Sequence, residues 1–312
     1  MRILFWLISL LVLLLLPAPT LAGKAYVLEL EGPIGPATQD YVQRGIDQAT
    51  NEKASLIILQ LNTPGGLESS MRGINAAIMA SSIPVVSFVF PTGARAASAG
   101  TFILYASHIA AMTPGTNIGA AAPILLTGET KKANELSTSE TKAVNDAAAY
   151  IRSLATLHAR NIQWAESAVR QAMSLSADEA KKLNVIDLIA TDYPDLLKQL
   201  DGKTITVLGH SKKIETKNML IEKSAPDWRY QFLSFITNPN VAYLLLLAAI
   251  YGLFFELTQP GLILPGVVGV IALVLALYAF QLMPINYAGL TLMIVGLGFV
   301  LFEIYIPNYG AL

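Results

Sequence analysis

The sequence predicts an α/β domain followed by an α-helical transmembrane region. Short apolar segments alternate with helical segments between residues 23 and 222, and three long apolar segments lie within residues 241–312. The chain is 54% hydrophobic and 14% charged, with a mean hydropathy of +0.52, whereas about 25% of residues are charged in an average soluble protein. These values exclude an intrinsically disordered chain and argue against a purely soluble one.

Residues 1–22 have the layout of a secretory signal peptide. Arg2 precedes an apolar run over residues 3–16, and this run is shorter than the ~20 residues that a transmembrane helix needs. Pro17, Pro19 and small residues follow before Gly23. This order predicts cleavage after Ala22 and export of the domain that follows. An uncleaved anchor is the alternative, and it exports the same residues.

The exported domain, residues 23–222, has the pattern of a parallel α/β layer. Three apolar segments with β-branched residues are predicted to be strands: residues 25–30, 55–61 and 83–90. Two segments between them are predicted to be helices: residues 38–48 and 67–80. Strands and helices that alternate with short loops indicate parallel strands joined by right-handed crossovers.

The second half of this domain gives fewer signals. Ser137 and Glu140 have the spacing of a capping box and predict the start of a long helix. Residues 120–134, of mixed polarity, are a candidate lid or membrane-facing flap. Residues 208–229 are predicted to hold a strand remnant and a connection to the membrane, with the linker proper at residues 223–240.

Three transmembrane spans are predicted at residues 241–257, 262–282 and 287–306. No Lys or Arg follows Arg229, so loop charges cannot orient the spans, and the signal peptide orients the first from outside to inside. Glu256 and Glu303 each end a span, four residues before a proline. We interpret both as structural acids near helix ends, the alternative being a functional site within the membrane.

The composition also excludes several classes of function. The 21 basic residues are balanced by 22 acidic ones, so no nucleic-acid partner is expected. The chain has no cysteine, which excludes disulfides and a cysteine nucleophile. Its three histidines, His108, His158 and His210, are scattered, and therefore neither a metal site nor a cofactor is predicted.

Two segments that follow predicted strands could take part in catalysis. Gly65 and Gly66 form a turn between a strand and a helix, where free backbone N–H groups suit an oxyanion. Ser98 lies among alanines and Gly100 before the apolar segment Phe-Ile-Leu-Tyr-Ala, and small neighbours of this kind expose a nucleophilic hydroxyl. Each segment taken alone also fits a purely structural turn or helix start.

A serine nucleophile requires a base, and the three histidines are poorly placed along the sequence. A desolvated lysine can act as the base, because burial favours the neutral amine. Lys142, in the first turn of the long helix, is one candidate, although an ion pair with Asp146 at i+4 is an alternative role. Spacing alone does not separate Lys142 from Lys131 or Lys132.

Four ordered segments and the tail together resemble the NfeD family in its long form, membrane-bound serine proteases of the ClpP class. The segments are residues 62–66, 93–103, 116–120 and 142–161, and the resemblance extends from Gly23 to the last span. It implies a ClpP/crotonase-like fold over residues 23–222. Long-form members usually continue into a further span and a small soluble β-barrel domain. We expect residues 241–312 to be the membrane region only, without that β-barrel domain. Asn62 stands where the family often has Asp.

The resemblance implies a Ser–Lys dyad and endoproteolysis of hydrophobic segments of membrane-associated proteins. Ser98 matches the nucleophile and Lys142 the base, while Gly65, Gly66 and the N–H of Ala99 match the oxyanion and substrate-binding region. The implied partners are the lipid bilayer, a hydrophobic polypeptide and a stomatin-like or flotillin-like membrane protein. We also expect a homo-oligomer of two or more copies, with the protease domain outside the cytoplasm, or in the periplasm of a Gram-negative cell.

Three alternatives to this function remain. A signal-peptide-peptidase-like protease shares the Ser–Lys arrangement but lacks the three C-terminal spans. A crotonase-type acyl-CoA enzyme is less favoured, because its chemistry does not require an exported domain. A non-catalytic membrane scaffold would not need both Ser98 and Lys142.

Overall fold

The structure, a computed structural model, describes residues 23–123, 138–259 and 263–281, with five single positions between 289 and 299. The strands are β1 (Lys24–Glu31), β2 (Leu56–Asn62), β3 (Val85–Val89), β4 (Arg95–Ala96), β5 (Ile109–Met112), β6 (Asn117–Gly119), β7 (Ser174–Ser176), β8 (Leu188–Ile189), β9 (Thr204–Val207), β10 (His210–Lys213) and β11 (Leu220–Ser224). The helices are α1 (Pro36–Asn51), α2 (Glu68–Ala80), α3 (Ala99–Ala106), α4 (Thr138–Leu157), α5 (Ile162–Arg170), α6 (Ala177–Lys182), α7 (Tyr193–Leu200), α8 (Trp228–Ile236), α9 (Pro239–Thr258) and α10 (Leu264–Gln281).

A six-stranded parallel sheet in the order β11-β1-β2-β3-β5-β8 forms the centre of the domain. Successive side chains of β2 point to opposite faces of the sheet, and both faces are buried. Ile57 and Leu59 join the apolar cluster that includes residues of α1 to α6, whereas Leu56 and Ile58 join the cluster on the other face, which includes residues of α7. The predicted parallel α/β architecture is confirmed.

A smaller sheet holds the loops at the carboxyl ends of β2 and β3 together. It has the order β4-β6-β7, and Thr63, just after β2, bridges Ala96 of β4. The Thr63 N–H donates to the Arg95 carbonyl at 2.8 Å, and the Ala97 N–H donates to the Thr63 carbonyl at 3.1 Å. The glycine turn and the serine segment are therefore neighbours at the edge of the sheet where open α/β folds bind ligands.

Residues 208–240 are more ordered than the sequence predicts. The strand remnant expected here is β11, which pairs in parallel with β1 at the edge of the sheet. The expected linker, residues 223–240, contains the end of β11 and the whole of α8. The side chains of β11 are mostly exposed, so this strand lacks the apolar run that marks β1 to β3. The segment between the domain and the apolar helices thus has regular secondary structure.

Helices α9 and α10 form an apolar hairpin after the α/β domain. One stretch, Asn240–Thr258, is long and apolar enough to cross a membrane, and Leu264–Phe280 is a shorter apolar helix. The helices pack closely, since a Cβ on Gly252 would lie 2.9 Å from the Gly269 Cα. The predicted signal peptide lies outside the described residues, and so does most of the third predicted span, residues 287–306.

Candidate active site

Ser98 lies at a strained turn between β4 and α3. Its backbone has φ 51° and ψ −116°, a combination that L-residues adopt rarely and that is often found at functional sites. The Ser98 N–H donates to the Ala120 carbonyl at 2.6 Å, and the residue is only partly buried. The turn therefore presents the hydroxyl at the start of a helix, as a nucleophile turn does.

The glycine turn packs directly against this serine. A Cβ added to Gly65, which has φ +112°, would lie 2.4 Å from the Ser98 Cβ and 2.9 Å from its Oγ. A Cβ on Gly66 would lie 2.0 Å from the Ile34 carbonyl oxygen. Only glycine lets the two backbone segments approach this closely. The segments that carry Gly65 and Ser98 in the sequence analysis thus form one site.

Two backbone N–H groups beside Ser98 have no hydrogen-bond partner among the described residues and can bind an anion. The Gly65 N–H donates to Thr63 Oγ1 at 3.0 Å, so Gly65 contributes close approach rather than a donor. Within the described part of the chain, the N–H groups of Gly66 and Ala99 have no hydrogen-bond partner. Ala99 is the first residue of α3, where the helix dipole also favours negative charge. These groups can stabilise an oxyanion.

Ser98 opens into a cavity of about 970 Å³ with a mainly apolar wall. The wall contains residues of α1 to α4 and of α8, and Asn238, just before α9, also lines it. Its apolar side chains include Ile34, Leu67, Met71, Phe102 and Tyr150. The cavity is large enough for several apolar side chains of a polypeptide.

Lys142 lies on α4, next to the helix face that borders the cavity. Ala143 and Ala147 line the cavity, whereas Lys142 is not among the lining residues and is exposed. The expected desolvation of Lys142 is therefore absent. The fully buried residues of α4 begin at Ala147, and Lys142 lies five residues before it on the exposed part of the helix. Lys131 and Lys132 lie outside the described residues.

Asp146 pairs with α2 and not with Lys142. Its carboxylate accepts a hydrogen bond from the Arg72 guanidinium, which also packs over the Tyr150 ring at 4.3 Å from the ring centroid. The alternative role for Lys142, an ion pair with Asp146, is therefore not observed. Instead, Arg72 joins α4 to α2 at the rim of the cavity.

His108 and His158 lie far from Ser98, beyond the other end of α3. This helix has eight residues, or about 12 Å at 1.5 Å per residue. Burial, assisted by the charge of Arg160, lowers the pKa of each imidazole to about 4. Neither histidine can act as the base for Ser98. The described residues also contain no group of three or more His, Asp or Glu side chains that could hold a metal ion.

The sequence analysis missed Arg160, which caps the C-terminal end of α3. Its buried guanidinium donates to the carbonyls of Leu104, Tyr105 and Ser107 at 2.9–3.0 Å and pairs with Asp187 at 2.8 Å. A cation at this end stabilises the helix dipole, so Arg160 fixes the helix whose other end carries Ser98. Nothing in the local sequence around Arg160 signals this contact.

The fold and the site define a class of protein: a parallel α/β domain with a strained serine turn, followed by apolar membrane helices. The chain belongs to the NfeD1b family. The sequence model of the NfeD1b N-terminal domain matches residues 24–208, and that of the NfeD integral membrane domain matches residues 240–312.

Two curated relatives match most of the chain. Membrane-bound protease PH1510 of Pyrococcus horikoshii is 40% identical over 307 residues, which is 97% of this chain and 69% of the relative. Membrane protein NfeD1b of Bacillus subtilis is 30% identical over 292 residues, which is 91% of this chain and 62% of that protein. The chain therefore spans about two thirds of the length of these relatives.

Solved structures of 1510-N, a membrane-bound stomatin-specific protease, have the same fold. A lysine-to-alanine mutant in complex with a substrate peptide aligns with a TM-score of 0.64 and 37% identity, over 69% of this chain and 98% of the other. A serine-to-alanine mutant aligns with a TM-score of 0.62 and 38% identity, over 66% of this chain and 99% of the other.

Proposed function

We propose that this chain is a membrane-bound serine endopeptidase that cleaves apolar segments of membrane-associated proteins. The observation that supports it most is that Ser98, at a strained turn, lines one apolar cavity together with Gly66 and Ala99, whose N–H groups have no hydrogen-bond partner among the described residues. The likeness to a membrane-bound protease supports the same reaction.

In the proposed mechanism Ser98 is the nucleophile and Lys142 the base. The neutral Lys142 amine removes the proton from Ser98 Oγ, which attacks a peptide carbonyl. The oxyanion of the tetrahedral intermediate accepts hydrogen bonds from Gly66 and Ala99. The intermediate collapses as Lys142 returns the proton to the leaving amine. Water, deprotonated by the same lysine, then attacks the ester carbonyl, and the ester bond breaks as Ser98 Oγ takes the proton back from the lysine.

The position of Lys142 on α4, next to the cavity, is compatible with this role when substrate is bound. Catalytic hydrogen bonds are often incomplete without substrate. An apolar peptide in the cavity would cover the adjacent face of α4, which already contributes Ala143 and Ala147, and would exclude water from Lys142. The ion pair of Asp146 with Arg72 keeps that carboxylate away from the amine.

The apolar wall of the cavity and the adjoining membrane helix favour a hydrophobic polypeptide as the substrate. The relative 1510-N is specific for a stomatin homologue, and we extend this to a stomatin-like or flotillin-like partner for the present chain. We further propose a homo-oligomer in the bilayer, three spans, a cleaved signal peptide and a domain outside the cytoplasm.

The test compares the full chain with its Ser98→Ala variant, both in detergent, on a panel of apolar peptides. We expect the variant to lose cleavage by a factor of at least about 1,000, since it lacks the nucleophile. Ser234→Ala, which changes another serine that lines the cavity, is the matched control and should retain activity. Equal cleavage by wild type and Ser98→Ala would overturn the assignment. Cleavage by neither would favour the non-catalytic scaffold.

A further inference from the structure

Helix α8 connects the α/β domain to the first membrane helix and is fixed to the domain. Asp227 caps it by accepting a hydrogen bond from the Tyr230 N–H at 3.0 Å, and the Arg44 guanidinium of α1 donates to both Asp227 carboxylate oxygens at 2.8 and 3.2 Å. The ring of Tyr230 lies 5.2 Å from that of Tyr41 on α1. The orientation of α8 therefore follows that of the domain.

The two sides of α8 differ in what they face. At about 100° per residue, Trp228, Phe232 and Phe235 share one side and are 71%, 48% and 63% exposed. Tyr230 and Ser234 lie on the opposite side, where they line the cavity that contains Ser98. One side of α8 is thus part of the cavity wall, while the other presents aromatic rings to the surroundings.

The length of α9 sets the depth at which α8 lies. The apolar stretch Asn240–Thr258 has 19 residues, or about 28 Å at 1.5 Å per residue, close to the ~30 Å of a hydrocarbon core. When α9 spans the bilayer, its first turn is at the interface. Only Thr237 and Asn238 separate α8 from α9, so α8 lies at the level of the lipid headgroups.

The residues on the exposed side of α8 suit the level of the lipid headgroups. Tryptophan and phenylalanine with an adjacent cation are typical of helices that lie in the interface. The Arg229 guanidinium lies 5.8 Å from the centroid of the Trp228 ring, a position from which it can reach lipid phosphate. A water-facing helix would not place three large aromatic rings on one side.

We propose that α8 is an interfacial helix whose aromatic side, Trp228, Phe232 and Phe235, lies in the headgroup region of a phospholipid bilayer. This holds the part of the Ser98 cavity wall that α8 forms at the membrane surface. The position of α8 does not depend on catalysis. Its consequence for the substrate does rest on the proposed function: the cleaved bond belongs to a segment that has just left the bilayer beside α9.

The absence of cysteine from the chain allows a direct test by spin labelling. Trp228→Cys, Phe232→Cys and Phe235→Cys are made singly in the full chain, labelled with a nitroxide and reconstituted in vesicles of phosphatidylcholine and phosphatidylglycerol. We expect the three labels to collide with oxygen and to be shielded from a water-soluble nickel complex. Leu208→Cys, at an exposed apolar residue of the β9–β10 hairpin, is the control and should be open to nickel.

Two results would overturn the proposal. Labels on α8 as open to nickel as the label at Leu208 would place the helix in water. Strong dipolar broadening between labels of neighbouring copies, with shielding from oxygen, would mean that a second copy of the chain covers this side. Circular dichroism of each labelled variant shows whether it is folded. If one variant does not fold, the other two labelled positions still test the proposal.

A second measurement tests the consequence for the substrate. Full-length Phe232→Ser/Phe235→Ser should cleave a membrane-anchored polypeptide about tenfold more slowly than wild type, yet cleave a soluble apolar peptide equally well. If the variant and wild type cleave the membrane-anchored polypeptide at the same rate, and the soluble peptide as well, α8 does not position the substrate at the membrane surface. If wild type cleaves neither substrate, the proposed function fails, while the labelling result still decides where α8 lies.

Discussion

At the scale of single residues, the site depends on the absence of a side chain at Gly65. Its backbone approaches Ser98 so closely that an added methyl group would displace the hydroxyl. We therefore expect Gly65→Ala to lower cleavage by at least about 100-fold, because the nucleophile would lose its alignment with the two N–H donors. Steady-state cleavage of an apolar peptide measures the loss.

The control for this variant is Gly32→Ala. Gly32 also has a positive φ, +89°, but nothing lies within 4 Å of an added Cβ. Both variants therefore share the backbone strain, about 1–3 kcal/mol, and differ in the contact with Ser98. Thermal unfolding should shift in both variants, and by more in Gly65→Ala, because its added Cβ also meets the Ser98 Cβ at 2.4 Å. Full activity of Gly65→Ala would show that Ser98 tolerates displacement and is not the reacting group.

The assignment of Lys142 as the base leads to a second prediction. We expect Lys142→Ala to lose at least about 100-fold in cleavage, the usual contribution of general base catalysis. Lys142→Arg should lose as much, because arginine keeps the positive charge but cannot be deprotonated.

Lys131→Ala and Lys132→Ala serve as controls and should retain most of the activity. Peptide cleavage by purified variants in detergent gives the comparison. Recovery of activity in Lys142→Arg would mean that the residue supplies only a charge, and full activity of Lys142→Ala would exclude the dyad.

The sequence predicts part of this site because local composition carries the signal. Glycine pairs and a serine among alanines are visible in a single segment, so the turn at Gly65 and the start of α3 after Ser98 could be predicted. Arg160 could not, since its carbonyl partners are 53–56 residues away. The exposure of Lys142 likewise depends on how far α4 extends beyond the core.

At the scale of elements, α3 is held at both ends, and its C-terminal end is sensitive to pH. His158 Nε2 lies 3.1 Å from the Ala106 carbonyl oxygen, and the Val85 N–H donates to His108 Nδ1 at 3.2 Å. The folded state lowers the pKa of both imidazoles from 6.5 to about 4, chiefly because burial disfavours their charged form.

The unfolded chain therefore binds more protons than the folded protein between pH 6.5 and 4. Stability is unaffected by these histidines above pH 6.5 and is lost as the pH falls toward 4, by up to about 3 kcal/mol for each. We expect the melting temperature of the full chain in detergent to fall across this range, and to fall by less than half as much in His108→Asn/His158→Asn.

His210→Asn, at an exposed position of the β9–β10 hairpin, should leave the pH profile as it is in wild type. Carboxylates such as Asp195 and Asp201, whose pKa values are lowered by hydrogen bonds, contribute to acid unfolding equally in all variants. The difference between profiles therefore isolates the two histidines. Parallel profiles of wild type and the double variant would contradict this account.

Elements with a buried apolar face could be predicted from the sequence, and those without one could not. β1, β2 and β3 are continuous apolar runs because both faces of the central sheet are covered. β4 and β6 have two and three residues, and they form strands because they pair with each other. β11 pairs at an exposed edge, and α8 exposes its aromatic side, so neither has the buried apolar face that marks an element in the sequence.

At the scale of the whole molecule, we expect the α/β domain to lie on one side of the membrane. Only two residues separate α8 from α9, so the domain should end where α9 enters the bilayer. Which side this is depends on residues 1–22, whose Arg2, apolar run and small residues before Gly23 are typical of an export signal. The domain is therefore expected outside the cytoplasm.

A reporter inserted after Lys198 tests this orientation. Lys198 belongs to α7, which covers the face of the sheet away from Ser98, so an insertion there should leave the site intact. We expect an alkaline phosphatase reporter, which is active only after export, to be active at this position, and a β-galactosidase reporter, which is active only in the cytoplasm, to be inactive. The same pair of reporters fused after residue 22 shows whether the signal segment alone directs export. The opposite pattern at Lys198 would place the domain in the cytoplasm, with the first span running outward, and the substrate would then be a segment that leaves the inner face of the membrane.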